Sequence, residues 1–135
     1  SLERQVFPKV LEKGLHGYRF HGYWVDCGTP ESYLRAQSEL LEHGRSSTRA
    51  TRMEGSKVIG PNYLDGANLS GCVIGPHVCA LPGSSVSEGS LVERSVLMQG
   101  ASVGKGCVVR DCLLGPGASV GDGESVQGRV LAELE

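Results

Sequence analysis

The stretch Ser90-Leu-Val92-Glu-Arg-Ser95-Val-Leu97-Met-Gln-Gly-Ala101-Ser-Val103-Gly-Lys-Gly-Cys107-Val-Val109 decides how this chain folds. It lies in a longer run with aliphatic residues at Val86, Val92, Leu97, Val103, Val109, Leu114, Val120 and Val126, always five or six positions apart. Two positions before each stands Ser84, Ser90, Ser95, Ala101, Cys107, Cys112, Ala118 or Glu124, small in every case but the last. A helix repeats its apolar residues every three or four positions, and a single long strand alternates every two, so neither fits. A three-sided coil of short strands does. Each side turns one aliphatic inward and packs a small residue beside it. A glycine (Gly104, Gly115, Gly121) or a polar residue then takes the corner.

Working outward, a fuller motif recurs as Leu69-Ser-Gly-Cys-Val-Ile74, Val92-Glu-Arg-Ser-Val-Leu97 and Val109-Arg-Asp-Cys-Leu-Leu114. The last two lie one coil apart. The first two are farther apart, which predicts an extra six residues around Leu81-Pro82-Gly83, bulging outward so that the stacked lanes stay in line. The coil is expected to begin near Val58, with an irregular first turn through Ile59, Leu64, Leu69 and Ile74.

The part before the coil is different in kind. Most aromatic residues fall before residue 35. Ser1 can cap a short helix with Val6, Val10 and Leu11 on one face, and Pro8 divides it into two short turns ending at Gly14. Tyr18, Phe20 and Tyr23 to Val25 read as strand, broken at Gly22. Thr29-Pro30-Glu31 is a helix start with a capping hydroxyl, proline at the first helical position and an acid in the first turn. That helix runs to about His43 and closes at Gly44, with a stripe of Tyr33, Leu34, Gln37, Leu40 and Leu41. The stripe needs the coil, or another partner, to cover it. The expected layout is residues 1–44 as a small α/β unit, 45–57 as a linker, 58–130 as the coil and 131–135 as a tail. The linker carries Arg45, Arg49, Arg52 and Lys57 against Glu54; it could touch phosphate but reads as a solvated connector.

Composition sets limits on function. Twenty glycines in 135 residues is about twice the usual share of roughly 7%. A net charge of −2 offers no electrostatic footprint for nucleic acid or an anionic membrane. No apolar run is long enough to span a bilayer. The five cysteines, Cys27, Cys72, Cys79, Cys107 and Cys112, show no C-x-x-C pair, and most occupy small inward positions. They read as reduced core residues of a cytoplasmic protein.

Gly22-Tyr-Trp-Val-Asp-Cys-Gly-Thr-Pro-Glu-Ser-Tyr-Leu34 resembles the end of the catalytic domain of sugar-nucleotide pyrophosphorylases. With Ser1-Leu-Glu-Arg-Gln-Val-Phe-Pro8 and the coil repeats, the chain is most similar to the mannose-1-phosphate guanylyltransferase group. The resemblance covers nearly the whole chain. It implies a left-handed parallel β-helix, which spacing alone does not specify. It also implies a parent enzyme that joins a nucleoside triphosphate to a sugar 1-phosphate, making a GDP-mannose-like product with Mg²⁺ as cofactor. The sugar phosphate attacks the α-phosphorus, pyrophosphate leaves, and Mg²⁺ offsets the charge. Matched onto the motif, Asp26 is the metal-ligating aspartate. Without the resemblance, Asp26 before Gly28 reads as a turn residue, and Tyr23 and Trp24 as packing residues. Glu3 matches an acidic position to which no role is assigned.

The chain departs from the family in lacking the glycine-rich nucleotide-binding signature, the first metal-binding aspartate and the phosphate-holding lysines. It therefore reads as the C-terminal end of such an enzyme, inactive alone. Two other readings stay open. A non-catalytic regulatory or assembly module shares the same two-part layout. A hexapeptide acyltransferase would need a catalytic histidine on the coil, where only His77 stands, and a zinc enzyme of γ-carbonic anhydrase type would need three. The open ends of the coil and the helix stripe predict self-association into a homo-oligomer.

Overall fold

The computed structural model describes residues 1–49 and 51–132. Of the expected tail, residues 133–135 lie outside the described residues. Sixteen short strands among the described residues, β1 to β16 in chain order, form three parallel sheets. The first sheet holds β1 (Ser47–Arg49), β4 (Tyr63–Asp65), β7 (Cys79–Ala80), β10 (Val96–Leu97), β13 (Leu113–Leu114) and β16 (Val130–Leu131). The second holds β2 (Arg52–Glu54), β5 (Asn68–Ser70), β8 (Ser85–Val86), β11 (Ser102–Val103) and β14 (Ser119–Val120). The third holds β3 (Lys57–Val58), β6 (Val73–Ile74), β9 (Leu91–Glu93), β12 (Val108–Arg110) and β15 (Ser125–Gln127). Consecutive strands fall on consecutive sheets. The chain is thus a three-sided parallel β-helix of about five coils.

The strand register turns the sequence spacing into columns. Leu64, Ala80, Leu97, Leu114 and Leu131 are partners up the first sheet. Leu69, Val86, Val103 and Val120 line the second, and Ile74, Val92, Val109 and Val126 the third. All but Leu131 are buried. Each buried aliphatic contributes about 1.5–3 kcal/mol, so the columns carry most of the folding free energy.

The coil starts earlier than the spacing predicts. Residues 45–57, read as a linker, contain β1, β2 and the start of β3, paired with β4, β5 and β6. The first inward positions are Thr48, Met53 and Val58, and Val58 rather than Ile59 is in register with Ile74. The expected bulge at Leu81-Pro82-Gly83 is also absent; that segment is an ordinary corner between β7 and β8. The motifs at Leu69 and Val92 stand on different sheets, one coil and one side apart, so no residues are left over. The inward position that hid this is Ala80. There the large and small residues have exchanged places: Val78 fills the slot usually given to serine, alanine or cysteine, and both are buried. Summed volume is kept, which is the condition for a core to tolerate a swap.

The small inward positions do more than fill space. Ser95 Oγ accepts from Cys112 N at 3.0 Å and donates to Glu93 O at 2.8 Å. Ser90 Oγ does the same between Cys107 N and Gly104 O. Two coils below Ser95, Asn62 accepts from Val78 N at 2.8 Å through its buried side chain. These side chains satisfy amides that the corners remove from the sheet ladder. Ser84 is buried too, but its Oγ has no partner. Ser95→Ala is therefore expected to lower stability by about 1–3 kcal/mol, because a buried donor loses its acceptor. Ser84→Ala should leave the denaturation midpoint unchanged or raised. Chemical denaturation of the two variants side by side checks this.

Before the coil, Leu2–Val6, α1 (Phe7–Val10) and Leu11–Lys13 make one run of three unlike helical turns, ended by Gly14 at φ 92°. This replaces the two short turns expected around Pro8. Ser1 caps it as expected, its Oγ accepting from Arg4 N at 3.1 Å. Residues 15–28 form no strand, contrary to the reading of Tyr18, Phe20 and Tyr23 to Val25. No strand among the described residues lies beside them, and an extended segment without a neighbour leaves its ladder unpaired.

α2 (Pro30–Leu40) begins as expected. Thr29 accepts from Ser32 N, and Ser32 accepts from Thr29 N, closing a capping box. Helical backbone continues to Glu42 and is lost at His43 and Gly44, the latter at φ 83°, so the helix closes at Gly44 as expected. The helix packs on the outer face of the first sheet, whose outward column is Tyr63, Cys79, Val96, Leu113 and Val130. Val96 is buried although it points away from the core. The face that α2 buries is shifted from the expected stripe: Ala36 and Leu41 are buried, Leu34 and Gln37 half-buried, and Tyr33 and Leu40 exposed. Alanine at 36 allows the close approach.

Candidate functional site

The segment Trp24-Val-Asp26-Cys-Gly28 is held as a tight turn before α2. Asp26 Oδ1 accepts from Gly28 N at 3.0 Å, an aspartate bonding its own backbone two residues on. Trp24 is 74% exposed, and Tyr23 is exposed with its hydroxyl donating to Glu39 Oε2 at 2.8 Å. The turn and the capping box are therefore continuous, and they present Asp26 at the surface, at the head of the helix. No group of three or more metal-ligating side chains occurs among the described residues. One carboxylate suits Mg²⁺, which binds through one or two carboxylates and substrate phosphates, but it does not make a site unaided. Glu3 lies exposed in the first helical turn.

Two features near α2 were not legible in the sequence. The first is a cleft of about 280 Å³ between the helix and the first sheet, lined by Tyr33, Ala36, Leu40, Leu41, Tyr63 and Cys79. Burial pushes the Cys79 thiol up to about 11, which keeps it protonated and unreactive. The second is a corner column of non-glycine residues with left-handed backbone, His77, Arg94 and Asp111, at φ 61°, 44° and 53°. Such conformations cost about 1–2 kcal/mol each. Contacts explain their retention. His77 stands 2.5 Å from Glu42 Oε1, and its carbonyl accepts from Gln37 Nε2 at 3.2 Å, so this corner holds α2 to the coil. Arg94 donates to both oxygens of Asp111, at 2.7 and 3.2 Å. That pair holds the Asp111 carboxyl below the usual range and raises the Arg94 guanidinium. Glu93 accompanies it, 3.1 Å from Arg94 and 2.8 Å from Arg110, the latter too misaligned for a hydrogen bond. The only coil histidine is thus engaged in helix attachment.

The coil itself has a relative. Residues 65–134 match the family model described as the GMPPB C-terminal domain. The chain belongs to this family. The matched residues run from the end of β4 through β16, and the match covers more than half of the chain. Among curated proteins, the glucose-1-phosphate adenylyltransferase of Desulfitobacterium hafniense (strain DSM 10664 / DCB-2) is 32% identical over 111 residues, covering 70% of this chain and 28% of that protein. The mannose-1-phosphate guanylyltransferase of Mycobacterium tuberculosis is 32% identical over 111 residues, covering 73% of this chain and 31% of that protein. The probable mannose-1-phosphate guanylyltransferase 3 of Oryza sativa subsp. japonica is 29% identical over 103 residues, covering 73% and 28%. The chain therefore spans about three-tenths of the length of these relatives. It is similar to a C-terminal part of sugar-nucleotide pyrophosphorylases, in agreement with the resemblance read from Gly22 to Leu34. No helix among the described residues is long and apolar enough to cross a membrane.

Proposed function

We propose that this chain is the C-terminal part of a sugar-1-phosphate nucleotidyltransferase that makes a GDP-mannose-like nucleotide sugar in the cytoplasm. Its β-helix serves assembly into a homo-oligomer or regulation. The observation that carries the reading is the match of residues 65–134 to the GMPPB C-terminal domain, joined to the Trp24-Val-Asp26-Cys-Gly28-Thr29-Pro30 element. The substrates are a nucleoside triphosphate and a sugar 1-phosphate, with no nucleic acid or membrane involved. Asp26 is the residue of this chain that would hold Mg²⁺, whose chemistry is to neutralise phosphate charge during transfer. The turn bond from Gly28 N fixes the carboxylate in place, and the capped helix start fixes the turn. Most other groups that such a reaction needs are outside this sequence, so the chain alone is inactive.

The bond from Gly28 N also favours a second reading, in which Asp26 is a turn residue of a non-catalytic regulatory module. Enzyme assay separates them. In the full-length parent, with GTP, mannose 1-phosphate and Mg²⁺, Asp26→Asn should lower kcat about a hundredfold or more, since one charge leaves the metal while the turn bond survives. An Mg²⁺ dependence shifted to higher concentration should accompany it. A kcat near that of the unmodified enzyme would place Asp26 outside the site. Product formed by the 135-residue chain alone would overturn the view that it is only a part.

A further inference from the structure

The segment that carries Asp26 is fastened to α2 at two points, and only one of them is local. At the head of the helix, Asp26 Oδ1 accepts from Gly28 N at 3.0 Å, and the Thr29–Ser32 capping box holds the residues that follow. Near the other end, the Tyr23 hydroxyl donates to Glu39 Oε2 at 2.8 Å. α2 rises about 15 Å between Thr29 and Glu39, at roughly 1.5 Å per residue. The stretch from Tyr23 to Thr29 reaches about 20 Å when extended, so it doubles back along the helix as a strap. Cys27, between the two fastenings, lines the cleft together with Tyr33 and Leu40 of the helix. Glu39 is a fixed anchor. Its other carboxylate oxygen lies 3.9 Å from Arg35 Nε, one turn back. Gln37 and Glu42, on either side of it in sequence, are the residues that hold α2 to the His77 corner of the coil, at 3.2 and 2.5 Å. Desolvation and the Glu39 bond raise the Tyr23 hydroxyl above its ordinary value, so it remains a donor at neutral pH.

We infer that Tyr23 is a positioning residue for Asp26. Through Glu39 it ties the Trp24–Gly28 turn to a helix that is itself fixed to the coil, so the coil holds the carboxylate in place from a distance. Packing does not account for Tyr23, which is 53% exposed. Its hydroxyl is the part of it that the structure uses. An exposed hydrogen bond exchanges with water and adds little to global stability, so its effect is local. It narrows the range of positions that the strap, and Asp26 within it, can sample. The catalytic consequence rests on the reading of Asp26 as the Mg²⁺ ligand: a ligand already held in place need not be ordered when the metal binds. The β-helix would then contribute to the site of the parent enzyme without touching substrate, by the path His77, Gln37 and Glu42, Glu39, Tyr23, Asp26.

Trp24 is the only tryptophan of the 135-residue chain and stands between Tyr23 and Asp26, so its fluorescence reports on the strap directly. Tyr23→Phe and Glu39→Leu should each lower the anisotropy of Trp24. Each should also speed hydrogen exchange of the Gly28 amide about threefold to tenfold, the worth of one hydrogen bond. The double variant should do no more than either single one, because both remove the same bond. Glu39→Gln keeps an acceptor oxygen and should restore most of the protection. The thermal midpoint should move by less than about 3 °C throughout. In the full-length parent, Tyr23→Phe should raise the Mg²⁺ concentration for half-maximal rate by the same factor, with a smaller change in kcat. Anisotropy and exchange equal to those of the unmodified chain, or altered only together with a lowered thermal midpoint, would overturn the inference. So would an Mg²⁺ dependence that Tyr23→Phe leaves unmoved while Asp26→Asn lowers kcat, and in that case the enzymatic reading survives. An Asp26→Asn enzyme as fast as the unmodified one would overturn both.

Discussion

Val109→Asp should abolish the cooperative unfolding transition of this chain at room temperature. Val109 is fully buried, with Val92 below and Val126 above in the third column. A carboxylate there lies inside the apolar core, among valine, leucine, alanine and cysteine side chains. Left charged or forced neutral, it costs several kcal/mol, in addition to the lost burial of valine. A domain of this size has about 5–15 kcal/mol to lose. Because each coil rests on its neighbours, disruption at the middle of the stack removes support from both directions. Lys105→Ala, on an exposed corner whose backbone N–H donates to Asp122, supplies the contrast and should shift stability by less than about 0.5 kcal/mol. Far-UV circular dichroism melts of both variants decide the matter. Equal shifts would mean that the inward phase of the third sheet has been assigned wrongly.

Gly75→Ala should be nearly as damaging, and for a different reason. Gly75 has φ 96°, a conformation that L residues avoid. A methyl there would also press deep into the Ile59 carbonyl oxygen and come within 2.7 and 2.8 Å of the Asn62 side-chain amide. That amide holds Val78 N and the Ile59 carbonyl, so the methyl would displace a buried bridge between coils. Strain and the broken bonds together should cost about 4 kcal/mol or more. Gly106→Ala isolates the backbone contribution. Gly106 has φ 64° but nothing within 4 Å of a β-carbon, so only the conformational penalty of about 1–2 kcal/mol applies. Denaturant titration of the pair gives both values. A Gly75→Ala midpoint equal to that of Gly106→Ala would show that the corner yields without loss.

The parts of this fold that were legible share a cause. From Val86 to Val126 every inward slot holds Val or Leu, so spacing and structure carry the same information. The exchange at Val78 and Ala80 broke that correspondence without disturbing the packing, because the core responds to volume while the eye follows residue type. Thr48 and Met53 fall in the stretch that reads as a linker, since an outermost coil is half wet and tolerates polar flanks, while Val58 marks the expected start but with Ile59 read as the inward residue. The attachment of α2 depends on Gln37 meeting His77 some forty positions away, which no local pattern records. Asp26 differs again. Its sequence context supports a turn, its hydrogen bond is a turn bond, and only kinship supplies a chemical role.

The direction of the hydrogen bonds has a mechanical consequence. Every strand-to-strand bond points along the axis of the coil, from one layer to the next. Tension applied along that axis would open one layer at a time, each giving way at modest force before the next is loaded. Tension across the axis would have to shear many bonds together. α2 changes the first case, since it runs beside successive layers, with Leu41 near Tyr63 at one end and Leu34 near Val130 at the other. It bridges the layers as a splint bridges a fracture, and the β-helix becomes stiffest on the single side that carries it.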